Sequence, residues 1–149
     1  MDHIEFLTRD LDETIEFYVN VLGFKHGRRT ISTRPDGSRV EQACVVLDDF
    51  MIELFQASPE AIAAGWDPGA LGVKTFALRV DDMAATVAEL VAHGVVISRE
   101  PRPGSSFEGL RGEMLDPNGV SIELREWQGG DSYHVEGWEP ASDAVTLVR

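Results

Sequence analysis

The chain has 149 residues, 43% of them hydrophobic, and its 26 acidic side chains outnumber 13 basic ones for a net charge of −13. This is too apolar for a disordered chain. With no cluster of Lys or Arg, it excludes the dense basic contacts that a nucleic-acid backbone needs. No stretch reaches the roughly 18 apolar residues that would cross a bilayer.

The opening segment, MDHIEFLTRD, has no basic stretch followed by an apolar one, so no secretory leader is expected. Residues 3–7 read as a short strand, and Asp10 is placed to cap a helix. Leu11, Ile15, Tyr18 and Leu22 recur at helical spacing and form one buried stripe. Gly23 then ends the helix. Three strands follow, over Lys25–Thr33, Arg39–Leu47 and Met51–Gln56, with Arg-Pro-Asp-Gly and Asp-Asp turns between them. The sole cysteine, Cys44, cannot form an internal disulfide and reads as a small buried residue, which suits a cytoplasmic location. Ser58-Pro59-Glu60 opens a short helix that Gly65 closes, and Asp67-Pro68-Gly69 is a turn.

The pattern then repeats. A strand at residues 75–80 leads to Asp82, a helix with Met83, Val87 and Leu90 on one face, and Gly94. Strands are expected over Val95–Ser98, Leu110–Leu115 and Val120–Arg125, with a loop from Pro101 to Ser106 after the first. Each half therefore reads β-α-β-β-β. The halves keep nearly one spacing: 50 residues separate His3 from Glu53, and 48 separate Thr75 from Glu123. Strand side chains alternate between faces. Ile4, Phe6, Ile52, Leu54, Phe76, Leu78, Ile122 and Leu124 go to the helix side. The other face collects His3, Glu5, Glu53, Thr75, Arg79, Ser121, Glu123 and Arg125, with Met51, Phe55 and Ala77.

The segments DHIEF, DLDETIEFYVNVLGF, MIELF, FALRVDDM and LDPNGVSIEL resemble the vicinal oxygen chelate superfamily, which includes glyoxalase I, methylmalonyl-CoA epimerase, fosfomycin-resistance enzymes, extradiol dioxygenases and bleomycin-binding proteins. The resemblance implies an α+β fold in which two βαβββ modules form an open cup around a divalent metal. It implies a single domain over residues 1–128, with modules at about 1–57 and 73–128, a linker at about 58–72, and a C-terminal extension at 129–149. The family's ligands come from the first and last strands of each module, which match His3, Glu53, Thr75 and Glu123 here. Thr75 departs from the histidine common at that position, and a neutral hydroxyl is a weak ligand. The implied set is His3, Glu53 and Glu123, holding Mn, Fe, Co, Ni or Zn. Buried carboxylates need such a cation or a guanidinium beside them.

The activity implied is lyase, isomerase or epimerase chemistry on a small oxygenated metabolite, by proton transfer next to a metal-bound carbonyl. Glu123 or Glu53 would serve as base. Glu5 is a further base candidate, and Glu5, Arg79, Ser121, Arg125 and Phe55 would face the substrate. Arg79 and Arg125 could equally pair the carboxylates. The alternative is a metal-free, bleomycin-resistance-like protein that sequesters a ligand between aromatic walls, with Trp66, Phe107 and Trp127 available. His26 lies near a strand start and His93 fits a helix end, while His134 is a substitute ligand candidate in the tail. That tail holds Tyr133, Trp138 and Val145–Val148, and is expected to dock on the body or on a partner. A homodimer, a small-molecule partner and no membrane contact complete the expectation.

Overall fold

A computed structural model of the chain describes residues 3–65, 73–104 and 109–128. The expectations placed on Trp66, Phe107, His134 and the tail 129–149 lie outside these residues. The described chain forms two compact units. The first contains β1 (His3–Thr8), α1 (Leu11–Glu16), β2 (Lys25–Thr33), β3 (Arg39–Leu47), β4 (Phe50–Gln56) and α2 (Pro59–Ala64), together with the Asp116–Gly119 turn. The second contains β5 (Phe76–Arg79), α3 (Met83–Ala92), β6 (Ile97–Pro103), β7 (Gly109–Leu115) and β8 (Ser121–Trp127).

The two sheets have matching orders, β1-β4-β3-β2 and β5-β8-β7-β6. In each, the first strand pairs parallel with the last, and the remaining pairs are antiparallel. The repeat read from the sequence is thus an α+β fold of two βαβββ modules. The caps match too. Asp10 accepts from the Glu13 N–H at 3.0 Å and Asp82 accepts from the Ala85 N–H at 2.9 Å, each satisfying an orphan donor of a first helical turn. Gly23 and Gly94, at φ +75° and +78°, close the two helical segments.

Two elements differ from expectation. The first helix does not continue as a regular α-helix: after Glu16 it widens into a π-helical turn over Phe17–Val21. The widening puts Phe17 and Tyr18, adjacent in sequence, both into the core, where Tyr18 meets Phe17 and Phe24 edge-on at 5.4 and 5.3 Å. The sixth strand starts later than expected and runs through the proline segment, Ile97–Pro103, where a loop was expected. Proline removes a ladder donor but is tolerated at a sheet edge, and β6 is an edge strand.

Each sheet buries one face. Ile52, Leu54, Ala43 and Val45 in the first unit are at most 2% exposed, as are Ile122, Leu124 and Met114 in the second. In the first unit the Asp-Pro-Asn-Gly turn packs against α1. The buried Asn118 side chain accepts from the Arg9 N–H at 2.8 Å and donates to Thr14 Oγ1 at 3.1 Å. Its backbone N–H and side chain also donate to Asp116, at 2.8 and 3.3 Å. The Tyr18 hydroxyl donates to Asp116 Oδ2 at 3.4 Å. Burial, reinforced by the Asp116 charge, pushes the Tyr18 phenol above its ordinary range. Among the described residues no helix is long and apolar enough to cross a membrane.

Candidate functional site

In the first unit the parallel β1–β4 register sets Glu5 directly opposite Glu53, with His3 opposite Met51 and Leu7 opposite Phe55. Like charges facing each other across strands oppose pairing, so this rung calls for a cation. His3 stands beside both carboxylates: its Nε2 is 3.5 Å from Glu5 Oε1 and 3.9 Å from Glu53 Oε2. One ligand atom from each of His3, Glu5 and Glu53 can be chosen so that all three lie within 4.8 Å of one another. Three donors at about 2.1 Å from one ion sit roughly 3–3.6 Å apart, so this trio would draw in by about an ångström to share one. Imidazole nitrogen with carboxylate oxygen suits first-row divalent ions, and the residues fit the group.

A guanidinium, Arg28, reaches Glu53 Oε1 at 3.7 Å. The local cause lies in β2. Its pairing with β3 is irregular between His26 and Arg29, and Gly27 lies against Cys44, where an added Cβ would sit 2.4 Å from Sγ. A side chain there would have to displace the Cys44 thiol, and Arg28 lies within the irregular stretch. Glu5 and Phe55 also line a cleft of about 980 Å³, with Leu7, Ile31 and Gln56 on its walls. The trio borders this cleft through Glu5.

In the second unit the register sets Ala77 beside Glu123 and Arg79 beside Arg125. Thr75 Oγ1 donates to the Ser121 carbonyl at 2.7 Å and contacts the Phe76 carbonyl at 3.1 Å. Its hydroxyl proton is therefore committed to the backbone. Glu123 is 8% exposed and accepts from Arg125 Nη2 at 3.2 Å, while its Oε1 has no hydrogen-bond partner among the described residues. The Arg125 guanidinium lies 5.9 Å from the Trp127 ring, a cation–π distance. Glu113 faces Glu123 across β7–β8 and is paired with Arg99 at 3.0 Å.

So both halves oppose two carboxylates on one rung and set a guanidinium beside one of them, Arg28 at Glu53 and Arg125 at Glu123; the first unit adds the His3 imidazole. Glu5 as a ligand, and Arg28, Arg99, Arg111 and Glu113 as neighbours, were not assigned from the sequence. Alternation along Leu110-Arg111-Gly112-Glu113-Met114 carries a signal for the last two, but their partners appear only once the register is known.

Residues 1–124 match the Glyoxalase/Bleomycin resistance protein/Dioxygenase superfamily. Over 85% of its length the chain is 32% identical to a probable chloroplastic lactoylglutathione lyase of Arabidopsis thaliana, and it spans about a third of that protein, 35%. It is 30% identical to the uncharacterized protein YaeR of Escherichia coli, over 83% of this chain and 93% of that one. The structure of the trypanothione-dependent glyoxalase I of Leishmania major superposes with a TM-score of 0.65 at 25% identity, covering 85% of each chain. With its paired βαβββ modules and a sequence match that runs through both, the chain belongs to the Glyoxalase/Bleomycin resistance protein/Dioxygenase superfamily.

Proposed function

We propose that this chain is a metal-dependent enzyme of the lyase, isomerase or epimerase type, acting on a small oxygenated metabolite by moving a proton next to a carbonyl. The observation that carries the reading is the His3–Glu5–Glu53 trio, a cation-demanding rung with three ligand-type atoms converging in one unit. The likeness to lactoylglutathione lyases supports the reaction class. His3, Glu5 and Glu53 would hold a Mn, Fe, Co, Ni or Zn ion. When bound, the ion supplies Lewis-acid stabilisation of negative charge developing on oxygen. The chain's residues do the rest. Arg28 orients the Glu53 carboxylate, Phe55 offers an apolar wall, and Glu123 Oε1 is an acceptor ready to take a proton. The working form would be a homodimer, as the family resemblance implies, in the cytoplasm.

The second reading is a metal-free binding protein. It draws on the cleft beside Leu7, Ile31 and Phe55 and on the partial compensation of Glu53 by His3 and Arg28. The test is the metal content of protein purified without chelator, beside a Glu53→Gln/Glu123→Gln double variant. Near-stoichiometric metal in the parent and its loss in the variant is the expected result. A parent that is empty and takes up no added Mn, Co, Ni or Zn overturns the metalloenzyme reading and leaves the binding protein.

A further inference from the structure

The second sheet carries an uncommon rung. Arg79 on β5 pairs in register with Arg125 on β8, Arg125 with Arg111 on β7, and Arg111 with Arg102 on β6. Four arginines thus cross all four strands in one line. Residues paired in register point to the same face, here the face of Glu123 and Glu113. The adjacent rung adds Arg99, opposite Glu113. Five arginines therefore share this face with two glutamates among the described residues. In a chain of net charge −13, this concentrates positive charge on one surface.

Such an arrangement weakens the sheet. Like charges directly opposite each other are unfavourable, and the arginine rung contains three such neighbouring pairs. The two glutamates are engaged on single arginines. Glu113 is bound by Arg99 at 3.0 Å, and Glu123 meets Arg125 through Oε2 alone. The buried polar atoms without hydrogen-bond partners among the described residues include Arg111 Nε, a donor, and Glu123 Oε1, an acceptor on a side chain 8% exposed. Residues that breach a local rule at a cost in stability mark a functional site. A donor and an acceptor, both unsatisfied and diagonal to each other on adjacent strands, call for one ligand that answers both.

We infer that this face is an oxyanion site and that the substrate is a small anion, carrying a carboxylate or a phosphate. Arginine forks bind either group through paired N–H donors. The anion lies on Arg111 and Arg125, with Arg79 and Arg102 raising the potential at the ends of the rung. The rest of the molecule then extends toward Glu123 Oε1, which can accept a hydrogen bond from a hydroxyl next to the anchored group. This rests on the proposed function only for the chemistry; the anion site stands on the second unit alone.

The test is isothermal titration of the full chain with malonate and with inorganic phosphate, in chelator so that no metal contributes. Parent protein is compared with Arg111→Gln, with Arg79→Gln at the exposed end of the rung, and with Lys25→Gln on the first sheet. Binding of either probe, weakened about tenfold or more by Arg111→Gln, weakened less by Arg79→Gln and unchanged in Lys25→Gln, is the expected result. Glu123→Gln should tighten the probe, because a competing negative charge is gone. A preference for malonate assigns a carboxylate, and a preference for phosphate assigns a phosphate ester. Should Arg111→Gln fail to fold, Arg79→Gln and Glu123→Gln decide between them. No binding of either probe, or equal weakening in Lys25→Gln, overturns the site. Metal content is measured separately, so an empty metal site leaves the anion result intact, and the converse holds.

Discussion

Replacing Glu5 by Gln removes one of two carboxylates that face each other across β1 and β4. The chosen ligand atoms are within 4.8 Å. At that separation two like charges repel by about 3.5 kcal/mol at an effective dielectric constant of about 20, and by about 0.9 in bulk water. The Glu5 side chain is 61% exposed, so the lower figure applies, and neighbouring His3 offsets part of it. In chelator, Glu5→Gln should therefore be as stable as the parent or better by up to about 1 kcal/mol. For a chain this size that is a rise in melting temperature of up to about 4 °C.

With metal the order should invert. An ion at about 100 times its dissociation constant stabilises the parent by about 2.7 kcal/mol, or roughly 5–11 °C. If losing one carboxylate ligand weakens the site about a hundredfold, the same metal concentration stabilises the variant by only about 0.4 kcal/mol. The assay is thermal melting followed by circular dichroism, with chelator and then with Mn, Co, Ni or Zn. Glu5→Gln melting clearly below the parent in chelator would show that no repulsion is stored on this rung. An undiminished metal-induced shift in the variant would remove Glu5 from the ligand set.

Two further predictions concern the Asp116–Gly119 turn and the helix it packs against. Asn118→Ala strands the Arg9 N–H and removes a donor from Thr14 Oγ1, which keeps its bond to the Asp10 carbonyl, and should cost about 1–3 kcal/mol in urea denaturation; a loss below about 0.5 would mean the turn is not tied to α1 in this way. Because burial and Asp116 raise the Tyr18 phenol in the folded chain, the neutral form is favoured by folding. Its contribution is complete below the ordinary phenol value of about 10 and is lost as pH rises beyond it. The parent should lose stability more steeply above about pH 10 than Tyr18→Phe, and parallel slopes in the two proteins would refute the assignment.

Much of the architecture could be read from residue order because the signals are local. The Asp10 and Asp82 caps, the stripe through Leu11, Tyr18 and Leu22, and the alternation around Ile52 and Ile122 each depend on neighbours within a few positions. The misses have non-local causes. Pro101 and Pro103 read as a loop because only sheet order shows that β6 is an edge. The π-helical turn obeys the same apolar spacing as a regular helix until Phe17 and Tyr18 are both found inside. At the site, Glu5 lay on the correct face, but its opposition to Glu53 is a property of pairing and not of either strand. The same is true of Arg111, whose partners Arg125 and Arg102 lie 14 residues after it and 9 before it.

The prolines of β6 have a consequence beyond concealment. An edge strand is a template onto which another chain can add its own strand. Residues 101 and 103 offer no N–H to such a visitor, and Arg99 and Arg102 add charge along the same strand. The border of the second sheet is thus guarded against strand addition, both the ordered kind that would extend the sheet between subunits and the disordered kind that begins aggregation. Substituting valine at both positions would remove that guard while making β6 easier to recognise as a strand.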